Sequence, residues 1–111
     1  MHIPGNNAKE ITTPEGTIWN YLIKKEVGIS YQVLTMRSPE SGRHLNRECR
    51  EFYFIIKGTA KFIVGTEEYD VNEKDVVIVE PNTAHYIETK DLTYLTVTSP
   101  GWYPGQYERV E

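Results

Sequence analysis

Short apolar runs at nearly even spacing, each closed by turn residues, constrain this chain more than any other feature. Thr17 to Lys24 alternates, with Trp19, Tyr21 and Ile23 on one face. Ser30 to Met36 sets Tyr31 and Val33 against Leu34 and Met36. Glu51 to Lys57 and Asp75 to Val79 are nearly continuous apolar runs rich in β-branched and aromatic residues, the pattern of strands covered on both faces. Ala60 to Val64, Glu67 to Val71, Ala84 to Glu88 and Thr93 to Thr98 complete the set. Turn signals lie between the runs at Lys57-Gly58, Gly65-Thr66, Asn72-Glu73-Lys74, Pro81-Asn82-Thr83 and Lys90-Asp91. No segment carries a helical period. The pattern predicts an all-β sandwich or barrel of at least eight strands, with no long helix.

With 111 residues the chain is one domain, long enough to bury a core without disulfides. Residues 1–15 hold Pro4, Gly5, Asn6, Asn7 and Pro14 and read as a flexible N-terminal arm. Residues 16–111 read as a single domain with a C-terminal tail, Ser99-Pro-Gly-Trp-Tyr-Pro-Gly105, pinned to the body by Trp102 and Tyr103. The net charge is −4 and no basic stripe is interleaved with aromatics, which argues against a nucleic-acid partner. Cys49 is the one cysteine, so no internal disulfide can form. The first residues do not pattern as a signal peptide, and no apolar run is long enough to span a bilayer. The expected location is cytoplasmic, with no membrane partner.

The residues that carry chemistry are His44, Glu51 and His85. Two imidazoles and a carboxylate on separate strands can converge on one divalent ion, and neutral imidazole with carboxylate oxygen suits Zn, Fe, Mn or Ni. Side chains at i and i+2 share a face. His44 and Asn46 therefore point the same way, Glu51 groups with Tyr53 and Ile55, and His85 groups with Ile87 and Thr89. The step from Asn46 to Glu51 is odd, so convergence requires a bulge or bend between them. A pocket built this way holds His44, Asn46, Glu51 and His85 at one end and Tyr53, Ile55 and Ile87 along its wall. Tyr53 is the candidate acid or hydrogen-bond donor inside it, or else an aromatic filler. The alternative for the ligand set is a degenerate pocket in which His44 hydrogen-bonds Glu51. Arg37, Arg43, Arg47 and Arg50 cluster nearby. One of them at the pocket mouth would favour an anionic ligand, whereas the plainer reading is surface pairing with Glu10, Glu40 and Glu48. Cys49 reads as a small buried filler and His2 as part of the exposed arm.

Two stretches carry a resemblance to a known family. The first runs from Gly42 to Gly58 and contains His44, Asn46, Glu51 and Glu51-Phe-Tyr-Phe-Ile-Ile-Lys-Gly58. The second is Lys74-Asp-Val-Val-Ile-Val-Glu-Pro-Asn-Thr-Ala-His85. Together they resemble the two motifs of the cupin family, over roughly residues 17–98. Asn46 stands where that family has a second histidine, and four residues separate it from Glu51. Ser38, Lys74 and Asn82 stand where the family usually has Gly, and Thr89 where the second motif often ends in Asn. The resemblance implies a double-stranded β-helix, or jelly-roll, barrel with His44, Glu51 and His85 as metal ligands. Asn46 would be an auxiliary ligand or a hydrogen-bond partner.

The reading that follows is a small cupin that binds a small polar or anionic molecule through a divalent metal. If it is an enzyme, the metal would serve as a Lewis acid. A non-catalytic binding or sensing domain with a degenerate metal site is the second reading, and a scaffold is the third. Phe52, Phe54 and Ile56, opposed to the pocket face, predict a homodimer. Ile3 and Ile11 give the arm the character of an added edge strand.

Overall fold

The structure, a computed structural model, describes residues 1–23, 26–36 and 42–110. Lys24, Arg37, Ser38 and Glu40, together with the side chain of Ile23, lie outside what is described. Nine strands are formed among the described residues: β1 (Lys9–Thr13), β2 (Gly16–Ile23), β3 (Gly28–Leu34), β4 (His44–Asn46), β5 (Arg50–Val64), β6 (Glu67–Val71), β7 (Val76–Val79), β8 (His85–Ser99) and β9 (Tyr107–Arg109). Apart from two short 3-10 turns there is no helix among them. Among the described residues no helix is long and apolar enough to cross a membrane.

The frame is the antiparallel pair β5·β8, two strands of 15 residues each. One edge of β5 takes β7 and then β6. The free edge of β8 takes β3 along residues 92–98 and β4 at His85. β2 and then β1 extend the sheet outward from β3.

The β5·β8 ribbon curls back on itself. Glu51 is the register partner of Thr98, and thirteen residues further along β5 Val64 is the partner of His85. In a flat ribbon those rungs would lie roughly 40 Å apart. Here the Glu51 and His85 side chains meet at 3.0 Å. Two bulges make the curl. Ile56 is the extra residue on β5 between Ile55 and Lys57, and β8 carries an extra residue opposite the step from Thr59 to Lys61. Gly58 sits between them with φ +95, and a Cβ there would lie 2.3 Å from the carbonyl oxygen of Asp91. Only glycine fits that bend.

The curl corrects two sequence expectations. Lys57-Gly58 and Lys90-Asp91 are not turns between strands but bends inside β5 and β8. Each bulge also shifts the inward phase by one residue. On β8 the buried positions change from His85, Ile87 and Thr89 to Leu92, Tyr94, Thr96 and Thr98. The other turn signals do close strands, and Lys74 (φ 73) and Asn82 (φ 61) adopt the left-handed conformation for which the family resemblance expects Gly.

Ile55, Phe62, Leu92 and Tyr94 are fully buried and form the middle of the core with Leu34, Tyr53, Val71, Val77, Val79 and Ile87. The runs expected to be covered on both faces are covered on one. Phe54, Ile56, Val76 and Ile78 stand 41–56% exposed on the outer face of β5 and β7. Part of the expected arm is ordered as β1, which adds an edge strand to β2 and places Ile11 in the wall of the barrel cavity.

Candidate metal centre and barrel pocket

The strand phases bring the three expected ligands to one place. β5 delivers Glu51 from its first turn inward, β8 delivers His85 from its start, and β4 lies beside β8 with His44 and His85 as register partners. One ligand atom from each of His44, Glu51 and His85 lies within 4.8 Å of the others. His85 and Glu51 are more than nine-tenths buried.

Both imidazoles are oriented by backbone. His44 Nδ1 lies 2.7 Å from the Gly42 carbonyl and His85 Nδ1 2.8 Å from the Thr83 carbonyl. A carbonyl accepts only, so each Nδ1 carries its proton, and in the neutral ring the lone pair sits on Nε2. His85 Nε2 is 3.0 Å from Glu51 Oε1. A neutral ring in that tautomer would set two acceptors against each other, so the geometry calls for a cation shared between them. A proton on the ring satisfies it, and so does a metal ion. Two donors about 2.1 Å from one ion and at right angles would stand about 3.0 Å apart. The donor set therefore fits a divalent metal.

The carboxylate of Glu51 is held from both sides. Asn46 Nδ2 donates to Oε1 at 2.9 Å, and the Tyr53 hydroxyl donates to Oε2 at 3.0 Å. The same hydroxyl is 3.4 Å from His85 Nε2. Burial pushes the Glu51 carboxyl up. The hydrogen bond and charge of His85, the charge of His44 and the Tyr53 hydroxyl outweigh burial and hold it below its usual range.

Asn46 faces the site, as the i, i+2 pairing with His44 requires, but its amide is committed elsewhere. Its Oδ1 accepts from Trp102 Nε1 at 2.9 Å while Nδ2 serves Glu51. A carboxylate needs a donor and an indole N–H needs an acceptor, so chemistry alone fixes this orientation. In this arrangement Asn46 orients Glu51 and offers no ligand oxygen.

The bend expected between Asn46 and Glu51 is present as a break between β4 and β5. Gln106 grips it: its Oε1 accepts from the backbone N–H of Glu48 (3.0 Å) and Cys49 (2.8 Å), and its carbonyl accepts from Arg47 N–H at 3.0 Å. Beyond it, β9 pairs with β4 and stacks Tyr107 on the His44 ring, with centroids 5.0 Å apart. Trp102 thus pins the tail, as expected, and Tyr103, although 42% exposed, adds a side-chain hydrogen bond to Glu48. The roles of Gln106 and Tyr107 were not legible in the sequence, since both depend on a strand pairing some 60 residues away in the chain.

These side chains open into a cavity of about 300 Å³ inside the barrel, near the lower end of the range typical of small-molecule sites. Tyr53, Ile87 and Tyr94 line it with His44, Asn46, Glu51 and His85, and Ile11, Ile18 and Ile29 form its apolar side. Ile55 belongs to the core and not to this wall. Among the described residues no Lys or Arg lines the cavity. Arg47 pairs with Glu108 at 3.1 Å and Arg50 with Glu80 at 2.8 Å, both at the surface, where such pairs add little stability. Cys49 is buried, and its thiol is pushed up from the usual 9.0 to about 12 by burial and by the charge of Glu51.

Comparison with known proteins agrees with this picture. The cupin domain family matches residues 31–98. No curated protein matches the sequence significantly. Among solved structures, a uridine complex of Streptomyces PAC13 superposes with a TM-score of 0.89 at 12% identity, covering 100% of this chain and 90% of that one. Pac13 is described as a nucleoside dehydratase. A protein from Planctomyces limnophilus gives 0.80 at 18% identity over 96% and 94% of the two chains. A formate complex of Lactobacillus farciminis oxalate decarboxylase gives 0.76 at 18%, over 95% of this chain and 34% of that one. At these identities the likeness is one of fold.

Proposed function

The chain belongs to the cupin family, and from its geometry we propose that it binds a small polar molecule in its barrel, with a divalent metal on His44, Glu51 and His85 as the anchor. The observation that carries this is the convergence of three ligand atoms within 4.8 Å at the wall of the barrel cavity. The tautomers fixed by Gly42 and Thr83 turn Nε2 into the ligating nitrogen of each ring. Asn46 and Tyr53 hold the carboxylate in place. Zn, Fe, Mn and Ni are the ions this set suits. When bound, such an ion supplies Lewis-acid polarisation of a ligand oxygen.

Three protein ligands leave coordination positions for a small molecule. Tyr53 holds its proton within reach of that space and is the group placed to donate it to a bound ligand. The ligand class is supported by Pac13, which is seen with uridine, and by a cavity wall that mixes aliphatic and hydroxyl side chains. A nucleoside-sized polar ring fits both. An anionic ligand would owe its affinity to the metal, because no Lys or Arg among the described residues lines the cavity. The second reading, a binding or sensing domain without metal, draws on Asn46: its amide N–H occupies the side of Glu51 that a fourth ligand would use.

We also place the protein as a cytoplasmic homodimer. The apolar outer face of β5 and β7 supports the dimer: Phe54 lies in register with Val76 and Phe52 with Ile78, so the exposed side chains form one continuous patch.

The test is metal content and affinity. Protein purified without added metal is analysed for bound ions, then titrated with Zn and Mn. The wild type should bind one ion per chain at micromolar concentration, His85→Ala should bind none, and Asn46→His should bind more tightly by adding a third imidazole. A wild type that takes up no divalent metal at neutral pH would overturn the reading.

A further inference from the structure

We propose that a polar row crossing the barrel wall beside the metal centre is a specificity subsite for the uncharged, hydrogen-bonding part of the ligand, with Thr96 and Thr98 as its determining residues. This rests on the small-molecule reading above and names how the ligand is recognised. Asn20 on β2, Ser30 on β3, Thr96 on β8 and Tyr53 on β5 are consecutive register partners across four strands. Residues in register share a face, and all four line the same cavity. Two residues along, on the same face, Thr98 is the register partner of Glu51 and also lines it. The row therefore runs from β2, one strand in from the sheet edge, to the carboxylate and phenol of the centre.

The hydroxyls of Thr96 and Thr98 are the telling groups. Both residues are buried, at 3% and 7% exposure, and neither Oγ1 has a hydrogen-bond partner among the described residues. Interior hydroxyls are nearly always paired, and an unpaired one is destabilising. Valine has the same shape and would fill a purely structural position without that cost. Two such hydroxyls on one strand stand about 7 Å apart and face the same space. Each can donate or accept, and none of the wall residues in the row other than Tyr53 and Glu51 is titratable. The row thus suits a neutral ring carrying several hydroxyl or amide groups, a compound of nucleoside type, and not a fatty or strongly charged one.

The experiment uses uridine as the probe, with Thr96→Val, Thr98→Val and the double variant. Calorimetric titration should show the wild type binding uridine and the double variant binding it about tenfold more weakly or worse. Thermal melts without ligand should show variants as stable as the wild type or more so, because an unpaired buried hydroxyl has been removed. Equal uridine affinity in wild type and double variant overturns the proposal. So does a melting temperature several degrees lower in the variants, which would mean that the hydroxyls have structural work. A wild type that fails to bind uridine at millimolar concentration overturns it too. Metal titration of the wild type is a separate measurement, so the metal reading stands or falls independently.

Discussion

Replacing Trp102 by Phe isolates the bond that ties the C-terminal tail to Asn46, beside the His44–Glu51–His85 cluster. The substitution keeps an aromatic ring in place and deletes one donor, the indole N–H that lies 2.9 Å from Asn46 Oδ1. Asn46 is 3% exposed, so its oxygen is left buried without that partner. An acceptor stranded in this way costs about 1–3 kcal/mol. Trp102 is itself only half-buried, so water can partly replace it, and about 1–2 kcal/mol is the reasoned range. For a domain of this size that lowers Tm by roughly 4–10 °C. The loss must be shared with Asn46, because the amide that accepts from Trp102 also donates to Glu51. Urea denaturation of Trp102→Phe, Asn46→Ala and the double variant closes a thermodynamic cycle. A coupling energy of about 1 kcal/mol is expected. A coupling below about 0.3 kcal/mol would refute the reasoning, since independent sites add within that margin.

Two further outcomes follow from the same structure. The Cys49 thiol should resist a disulfide reagent in the folded protein at pH 8 and react fully in urea. Because its folded value of about 12 lies above the usual 9.0, the unfolded chain loses that proton first. Stability should therefore fall as pH rises above about 9, and Cys49→Ala should flatten that slope in alkaline urea melts. The outer patch should drive association: wild type should sediment as a dimer and Val76→Glu as a monomer. A wild type that is monomeric at high concentration would remove the dimer.

The strands and the site face were legible because alternation survives wherever one face is buried. Glu51, Tyr53 and Ile55 are all buried, as are His85, Ile87 and Thr89, in the phase that the sequence implies. The curl of the β5·β8 ribbon was hidden for the same reason. A bulge breaks the alternation, and a break in phase beside Gly58 or Lys90-Asp91 looks like the end of a strand. The contributions of Gln106 and Tyr107, and the bond from Trp102 to Asn46, were hidden by distance, since nothing local marks the tail and β9 as neighbours of β4. Asn46 lines the cavity beside Glu51, but its role depends on which way its amide turns, and Glu51 and Trp102 decide that together. The hydroxyls of Thr96 and Thr98 carried a faint signal: with Leu92 and Tyr94 they repeat at every second residue, on the inward face of a strand.

The most direct measurement is anomalous diffraction at the absorption edge of zinc from crystals soaked in a zinc salt. One strong peak per chain is expected, about 2.0–2.2 Å from a ring nitrogen of His44, a ring nitrogen of His85 and a carboxylate oxygen of Glu51. The amide of Asn46 should remain bonded to Trp102. Crystals that take up zinc only at the surface, with His85 Nε2 still bonded directly to Glu51, would contradict it.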